Sequence, residues 1–362
     1  MPDFKIQRGT TTISGGQSVS PTLVAGTDYD APSALTSAFI RIVSAGNCSC
    51  GYESSFGRPE DSIARVTNAS NMMTSFTFDR QTGDVDPLTV FWELIEYTGA
   101  PGGPNEFVVR DHGIATMLGS ALTASLPAIT SIVDDNDVVP FITGLRGDGN
   151  GRADAPGTRV YAQALASNVV TFERLNHSFS DDVDVSYAIV EFTGSNWSVQ
   201  RAQHDQSAVG VEVETITTLS DISKTFLHLQ NAESTDNSVE HSSFTAWVSS
   251  TTQLSVDYDF VTAGTERVVA WIVENSGDMS VLQYSGTIAE DAVNGATGTL
   301  SISPITGGNL SNASIMGEGQ ITTGAVSDSH LIQCGFLIED ANNVRYRMGR
   351  GAKDRDWETE YQ

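Results

Sequence analysis

The chain has 362 residues, enough for two to four ordinary domains, and its 45 acidic against 19 basic side chains give a formal net charge of -26. Such a surface repels phosphate backbones and anionic lipids, so binding to nucleic acid or to a membrane is disfavoured. No run of about 18 apolar residues and no secretory signal pattern is present, so the sequence predicts neither a membrane span nor export by the standard route.

The first predicted strand, at residues 4–8, has a close copy later in the chain. Its sequence, Phe-Lys-Ile-Gln-Arg, resembles Trp-Ser-Val-Gln-Arg at residues 197–201. The second copy follows a complete set of strands and is interpreted as the closing strand of a repeat. The first copy precedes any complete repeat, so it is interpreted as a separate N-terminal strand or arm.

The central feature of the sequence is a motif that occurs three times, at residues 89–99, 184–194 and 267–277. Each copy is a β-branched and aromatic run that reaches a glutamate and ends at a glycine three positions later. The repeated glutamates are Glu96, Glu191 and Glu274. Because an enzyme needs one site, a carboxylate that recurs in every unit favours a structural role such as hydrogen bonding or edge protection.

The flanks of this motif repeat as well, as short runs rich in Val, Ile, Thr, Phe and Tyr separated by Gly, Ser, Asn and Asp. Period-2 patterning in several runs predicts strands, and almost no helical periodicity lies between them. The sequence therefore predicts an all-β chain of about four small, Ig-like β-sandwiches in tandem, arranged like beads. The expected boundaries are an arm at 1–13 and units at 14–122, 123–214, 215–296 and 297–362.

The last of these units is expected to be incomplete, because the chain stops near the point where the repeated glutamate would fall. An open sheet edge is a template for a donated strand. We therefore expect the N-terminal strand to close the fourth unit of the same or a neighbouring chain; the simpler alternative is a truncated unit and a loose arm. The donated residues would be Phe4, Ile6, Gln7, Arg8, Thr10 and Ile13, and the acceptor edge would carry Tyr346, Trp357 and Tyr361.

Residue patterns for catalysis or metal binding are weak. Cys48, Cys50 and Cys334 are too few for a disulfide framework and lack zinc-site spacing. The six histidines show no metal-ligand spacing, and no nucleophile elbow marks a serine. The Gly/Asp-rich stretch 146–154 resembles a calcium loop but has Arg159 where the bidentate glutamate would stand. We expect no enzyme activity, catalytic residue, metal or cofactor.

Two strand motifs carry a family resemblance. The stretch 6–13, together with the pairing of 190–192 with 199–201, resembles strand motifs of structural proteins of tailed bacteriophages. The resemblance implies a virion part such as a capsid decoration, tail or fibre subunit, made in the host cytoplasm and located in the virion. Its expected partners are further copies of itself and other virion proteins. The alternative is a receptor- or glycan-binding adhesin or fibre module, for which Trp197 and Trp247 are the candidate sugar-stacking residues.

Overall fold

The computed structural model describes residues 3–13, 21–46, 64–80, 88–147, 159–175, 182–206, 208–233, 244–258, 266–277, 279–281, 284–288, 297–301, 317–321, 334–340, 342–348 and 357–361. Their regular elements are β-strands and short 3₁₀ turns, so the predicted all-β class is confirmed. Within these ranges no helix has the length and apolar character needed to cross a membrane.

Six consecutive strands form the first unit, which we call unit 1. Its strands are β1 (Phe4–Ile13), β2 (Thr22–Val24), β3 (Ala38–Gly46), β4 (Arg65–Thr67), β5 (Ser75–Asp79) and β6 (Leu88–Tyr97). They make two antiparallel three-stranded sheets with the orders β1-β6-β3 and β2-β5-β4. The last strand of the unit is therefore the central strand of one sheet.

The same six-strand pattern recurs in units 2, 3 and 4, each with two sheets of matching order. Unit 2 contains β7 (Val108–Met117), β8 (Thr123–Ser125), β9 (Val138–Gly147), β10 (Tyr161–Ala162), β11 (Thr171–Glu173) and β12 (Val183–Glu191). Unit 3 contains β13 (Trp197–Gln206), β14 (Gly210–Thr215), β15 (Thr225–Glu233), β16 (Thr245–Ser250), β17 (Gln253–Tyr258) and β18 (Glu266–Asn275). Unit 4 contains β19 (Tyr284–Ile288), β20 (Thr297–Ser301), β21 (Gly317–Ile321), β22 (Cys334–Asp340), β23 (Asn343–Met348) and β24 (Trp357–Tyr361).

The repeated sequence motif forms the central strands β6, β12 and β18. Every residue of β6 and β12 is buried, and so is almost every residue of β18. A strand covered on both faces needs a nearly continuous apolar run rather than strict alternation, and this is what the motif supplies. The motif is conspicuous in the sequence because it marks the most buried strand of units 1, 2 and 3.

Units 1, 2 and 3 are not separate beads, and that prediction is wrong. Units 1 and 3 each have a core between their own two sheets. The core of unit 2, however, is continuous with apolar side chains from both neighbours, including Phe4 and Phe39 of unit 1 and Trp271 of unit 3. The neighbouring units therefore share buried surface that independent domains would expose.

The four units contact one another in cyclic order. The third strand of each unit packs against the fourth strand of the preceding unit: β9 lies on β4, β15 on β10 and β21 on β16. The same relation joins the two ends of the chain, because β3 of unit 1 lies against β22 of unit 4. The described strands thus form a closed head-to-tail arrangement.

The predicted unit boundaries are displaced by one to two strands. Strands β7 and β13 were expected to close the preceding unit, but they pair with β12 and β18, the last strands of the following unit. Each unit therefore begins with this strand, and the boundaries at 122, 214 and 296 fall inside units. The similarity between residues 4–8 and 197–201 is genuine, since both segments are opening strands.

The predicted donation of the N-terminal strand to unit 4 is also wrong. β1 pairs with β6 of its own unit along its whole length, from Phe4 opposite Tyr97 to Ile13 opposite Leu88. The expected acceptor residues lie on central strands, Tyr346 on β23 and Trp357 and Tyr361 on β24. In unit 4 the place beside β24 that a donated strand would take is filled by the unit's own opening strand, β19.

Candidate functional site

Three equivalent aromatic residues meet where units 1, 2 and 3 come together. Phe4, Phe107 and Trp197 each precede the residue that pairs with the repeated glutamate of their unit. The ring centroid of Phe4 lies 5.8 Å from that of Phe107 and 6.2 Å from that of Trp197. We call this cluster the hub, because equivalent positions of three repeats pack against each other in it.

Polar side chains of the N-terminal segment, the two linkers and the end of β18 lie beside the hub. The side-chain amide of Asn105 donates to the Asp3 carboxylate at 2.8 Å. The side-chain oxygen of Asn105 accepts hydrogen bonds from the side-chain amides of Asn196, at 2.8 Å, and Asn275, at 3.2 Å. Since Asn105 and Asn275 are buried, these bonds satisfy groups that would otherwise be costly to enclose. They also tie the N-terminal segment to the segments that connect the units.

A second set of equivalent positions is filled differently in each unit. Arg41, Phe141 and His228 pair with the residue three places before the repeated glutamate. In unit 1 that residue is Glu93, which is buried and bonds Arg41 at 2.8 Å and Arg8 at 2.9 Å. The position in unit 1 is therefore an internal ion triad, whereas unit 2 has an aromatic ring and unit 3 an imidazole.

The imidazole of His228 is held in its neutral form. Its ring lies 4.7 Å from that of Phe141, and its Nε2 accepts the backbone N–H of Ile142 at 3.3 Å. Burial is the main reason that the pKa of His228 falls from 6.5 to about 3, and the nearby Arg41 charge lowers it further. A neutral histidine at this place joins units 2 and 3 without adding charge.

The repeated glutamates each fix the loop that leads into the third strand of their unit. Glu96 accepts the N–H of Ser33 at 2.6 Å. Glu191 accepts the N–H groups of Val133 and Asp134 at 2.9 and 2.8 Å, and its other oxygen accepts Arg110 Nε. Glu274 does the same for Ser220 and Asp221, at 2.7 and 2.8 Å.

We call the contact between the third strand of one unit and the fourth strand of the preceding unit a joint. The joint between units 1 and 2 carries a network of alternating charges. Asp79 bonds Arg65 at 3.0 Å and Arg146 at 2.7 Å. Asp184 of unit 2 bonds the same two arginines, Arg146 at 2.9 Å. The four groups are largely enclosed, so the network is screened by solvent less than surface ion pairs are. It links two sheets that belong to different units.

The joint between units 2 and 3 uses the same positions with other side chains. Tyr161 and Arg267 stand where Arg65 and Asp184 stand in the first joint, as the strand pairing shows. The guanidinium of Arg267 donates to the Tyr161 hydroxyl at 2.8 Å and pairs with Asp205. Burial raises the pKa of Tyr161 to about 12, so the hydroxyl stays protonated.

The described ranges contain no group of three or more His, Cys, Asp or Glu side chains arranged to hold a metal. Cys48, Cys50 and most of the calcium-like stretch lie outside those ranges, while Arg146 belongs to the joint network. Trp197 packs in the hub, 4.9 Å from Phe192, rather than on an open surface.

The ion triad, the hub and the two joints are not predicted by the sequence patterns. One signal was available for the triad: Glu93 is a charged residue inside an otherwise apolar and aromatic run. The joint networks gave no comparable signal, because Arg65 and Asp184 are far apart in the chain. Comparison with protein-family models, with curated proteins and with solved structures finds no match to this chain.

Proposed function

We propose that this chain is a non-enzymatic structural subunit of a bacteriophage particle, such as a capsid decoration, tail or fibre protein. The observation that carries the proposal is that the buried polar groups bond to other parts of the same chain. The Glu93 triad, the repeated glutamates and the Arg65–Asp184 network all contact other parts of the same chain. The triad and the glutamates stiffen single units, and the network holds units 1 and 2 together. Rigidity and cohesion of this kind are what a particle component needs.

Each unit is proposed to be an Ig-like sandwich with one strand moved. The order β2-β5-β4 corresponds to strands B, E and D of the immunoglobulin fold, and the β3-β6 pair corresponds to C and F. β1 occupies the place beside β6 that the last strand, G, has in immunoglobulins. The proposed unit therefore has its closing strand at the front of the sequence.

The acidic surface supports the same role. With a net charge of -26, copies held close together repel non-specific contacts, and only complementary surfaces overcome that repulsion. The phage resemblance of residues 6–13 adds to this argument, since those residues form the opening strand of unit 1.

The test is the protein content of purified virus particles. Particles of the virus that encodes this sequence would be purified by density gradient, and the chain would be quantified by mass spectrometry against a known capsid protein. We expect a fixed number of copies per particle, resistant to a salt wash. Presence in the lysate with absence from the particles would contradict the proposal.

A further inference from the structure

Every unit carries two complementary surfaces, one formed by its third strand and one by its fourth. At the joint of units 1 and 2, the N–H of Leu145 on β9 donates to the carbonyl of Ala64, next to β4, at 3.0 Å. The approach is close: a Cβ on Gly144 would lie 2.5 Å from that carbonyl oxygen. The backbones of adjacent units therefore touch, and the position of Gly144 leaves little room for a side chain.

The same two surfaces meet once more where β3 lies against β22. We call this contact the terminal joint. It differs from the other three because the two units that form it are not consecutive in the chain. No linker joins its two units directly, whereas a short linker connects the two units of each of the other three joints.

We propose that the terminal joint opens and reseals between molecules, so that β22 of one copy binds β3 of a second copy of this chain. The strand relation is one that the chain already makes at its other three joints. Joining different surfaces head to tail gives a larger ring or a filament, depending on the rotation at the joint.

Closure within one chain is favoured in dilute solution, since the effective concentration of a tethered partner is on the order of millimolar. Crowding of copies in a particle raises the competing concentration. The inference rests on the proposed structural role, because it names a second copy of the chain as the partner that the subunit has in the particle.

The experiment uses the purified full-length chain in ordinary and heavy-isotope forms, mixed over a range of concentrations and analysed by native mass spectrometry. Ser44 on β3 is the residue of unit 1 that corresponds to Gly144 of unit 2. Ser44 pairs with Phe91 of the central strand, and Gly144 pairs with the equivalent residue, Ser186. The variant Ser44→Arg adds bulk there. The control Thr215→Arg places the same side chain on the exposed edge of β14.

For the wild-type chain we expect mixed-isotope dimers and larger species, and their fraction should rise with concentration. The fraction of mixed species should be at least tenfold lower for Ser44→Arg. For Thr215→Arg it should equal that of the wild type. A wild-type chain that stays monomeric up to millimolar concentration would overturn the inference. Equal mixing by Ser44→Arg would overturn it as well.

Circular dichroism reports whether Ser44→Arg folds. If it does not, a carboxylate-reactive cross-linker applied to the mixed wild-type oligomers decides: light-to-heavy links between units 1 and 4 support the joint, and links confined to other units overturn it. These outcomes are independent of the particle test, because they need no virus.

Discussion

At the scale of single residues, the buried polar groups of this protein hold loops and joints in place. Glu191 illustrates this: one oxygen accepts two backbone N–H groups and the other accepts Arg110. A charged acceptor for otherwise unpaired amides is worth more than a neutral one. The side chain therefore fixes the loop before β9, and β9 in turn contacts unit 1.

We expect Glu191→Gln to lower the free energy of unfolding by about 1–3 kcal/mol, because the amide loses the charge that Arg110 and the two N–H groups share. Urea denaturation at pH 7 measures the change. The control Glu106→Gln, at a linker position with more exposed hydrogen bonds, should cost under about 0.5 kcal/mol. Similar losses in both variants would argue against the loop-fixing role.

His228 predicts a dependence of stability on pH. Its pKa falls from 6.5 to about 3 on folding, so below pH 6.5 the unfolded chain takes up a proton that the folded chain does not. The contribution of His228 is complete above pH 6.5 and is lost as the pH falls, by roughly 2 kcal/mol at pH 5.

Urea denaturation of wild type and His228→Gln at pH 7 and pH 5 tests this point. The variant should lose clearly less stability than the wild type between the two pH values. An identical pH dependence would mean that other groups govern the acid response.

At the scale of elements, the opening strand β1 shows how closely the sheets are fitted. Gly9 pairs with Trp92, and a Cβ at Gly9 would lie 2.1 Å from the indole ring. The glycine lets the ring lie flat across the strand. Neighbouring Thr12 is exposed on the same strand.

Gly9→Val should therefore destabilise the chain by about 1–3 kcal/mol, through the displacement of Trp92 from its packing position. Thr12→Val is the matched control and should change stability by less than about 0.5 kcal/mol. Thermal unfolding followed by tryptophan fluorescence gives both values. If Gly9→Val were neutral, β1 would not lie against β6 in the register described.

The sequence allowed some elements to be predicted and not others. The strands β6, β12 and β18 were found because burial on both faces imposes a continuous apolar run with a recurrent glutamate. Whether β7 pairs with the strand before it or with the later β12 was beyond the sequence, since strand pairing is set by non-local packing and both choices have the same local pattern. That one ambiguity produced the displaced boundaries and the donated-strand prediction.

At the scale of the whole molecule, the joints make the units depend on each other. The network of Arg65, Asp79, Arg146 and Asp184 joins units 1 and 2, and the hub adds apolar contact with unit 3. No sequence pattern revealed this, because it depends on residues more than a hundred positions apart. The expectation of independent beads failed for that reason.

Asp184→Asn should weaken the coupling between units 1 and 2, because it leaves two arginines sharing the single charge of Asp79. We expect a loss of about 2–3 kcal/mol and a broadened or divided transition in scanning calorimetry. Asp30→Asn, which removes only the exposed pair with Lys5 inside unit 1, should keep the wild-type profile. A single sharp transition at wild-type temperature for Asp184→Asn would contradict the coupling.

The central claim is that four units close head to tail, with a core shared by units 1, 2 and 3, and small-angle X-ray scattering of the monomeric full-length chain tests it most directly. A compact particle of this length has a radius of gyration of about 21 Å, whereas four separate units in a line would give on the order of 35 Å. We predict a value near the first figure, with a single-peaked distance distribution. A value near the second figure, with a long tail of distances, would contradict the closed arrangement.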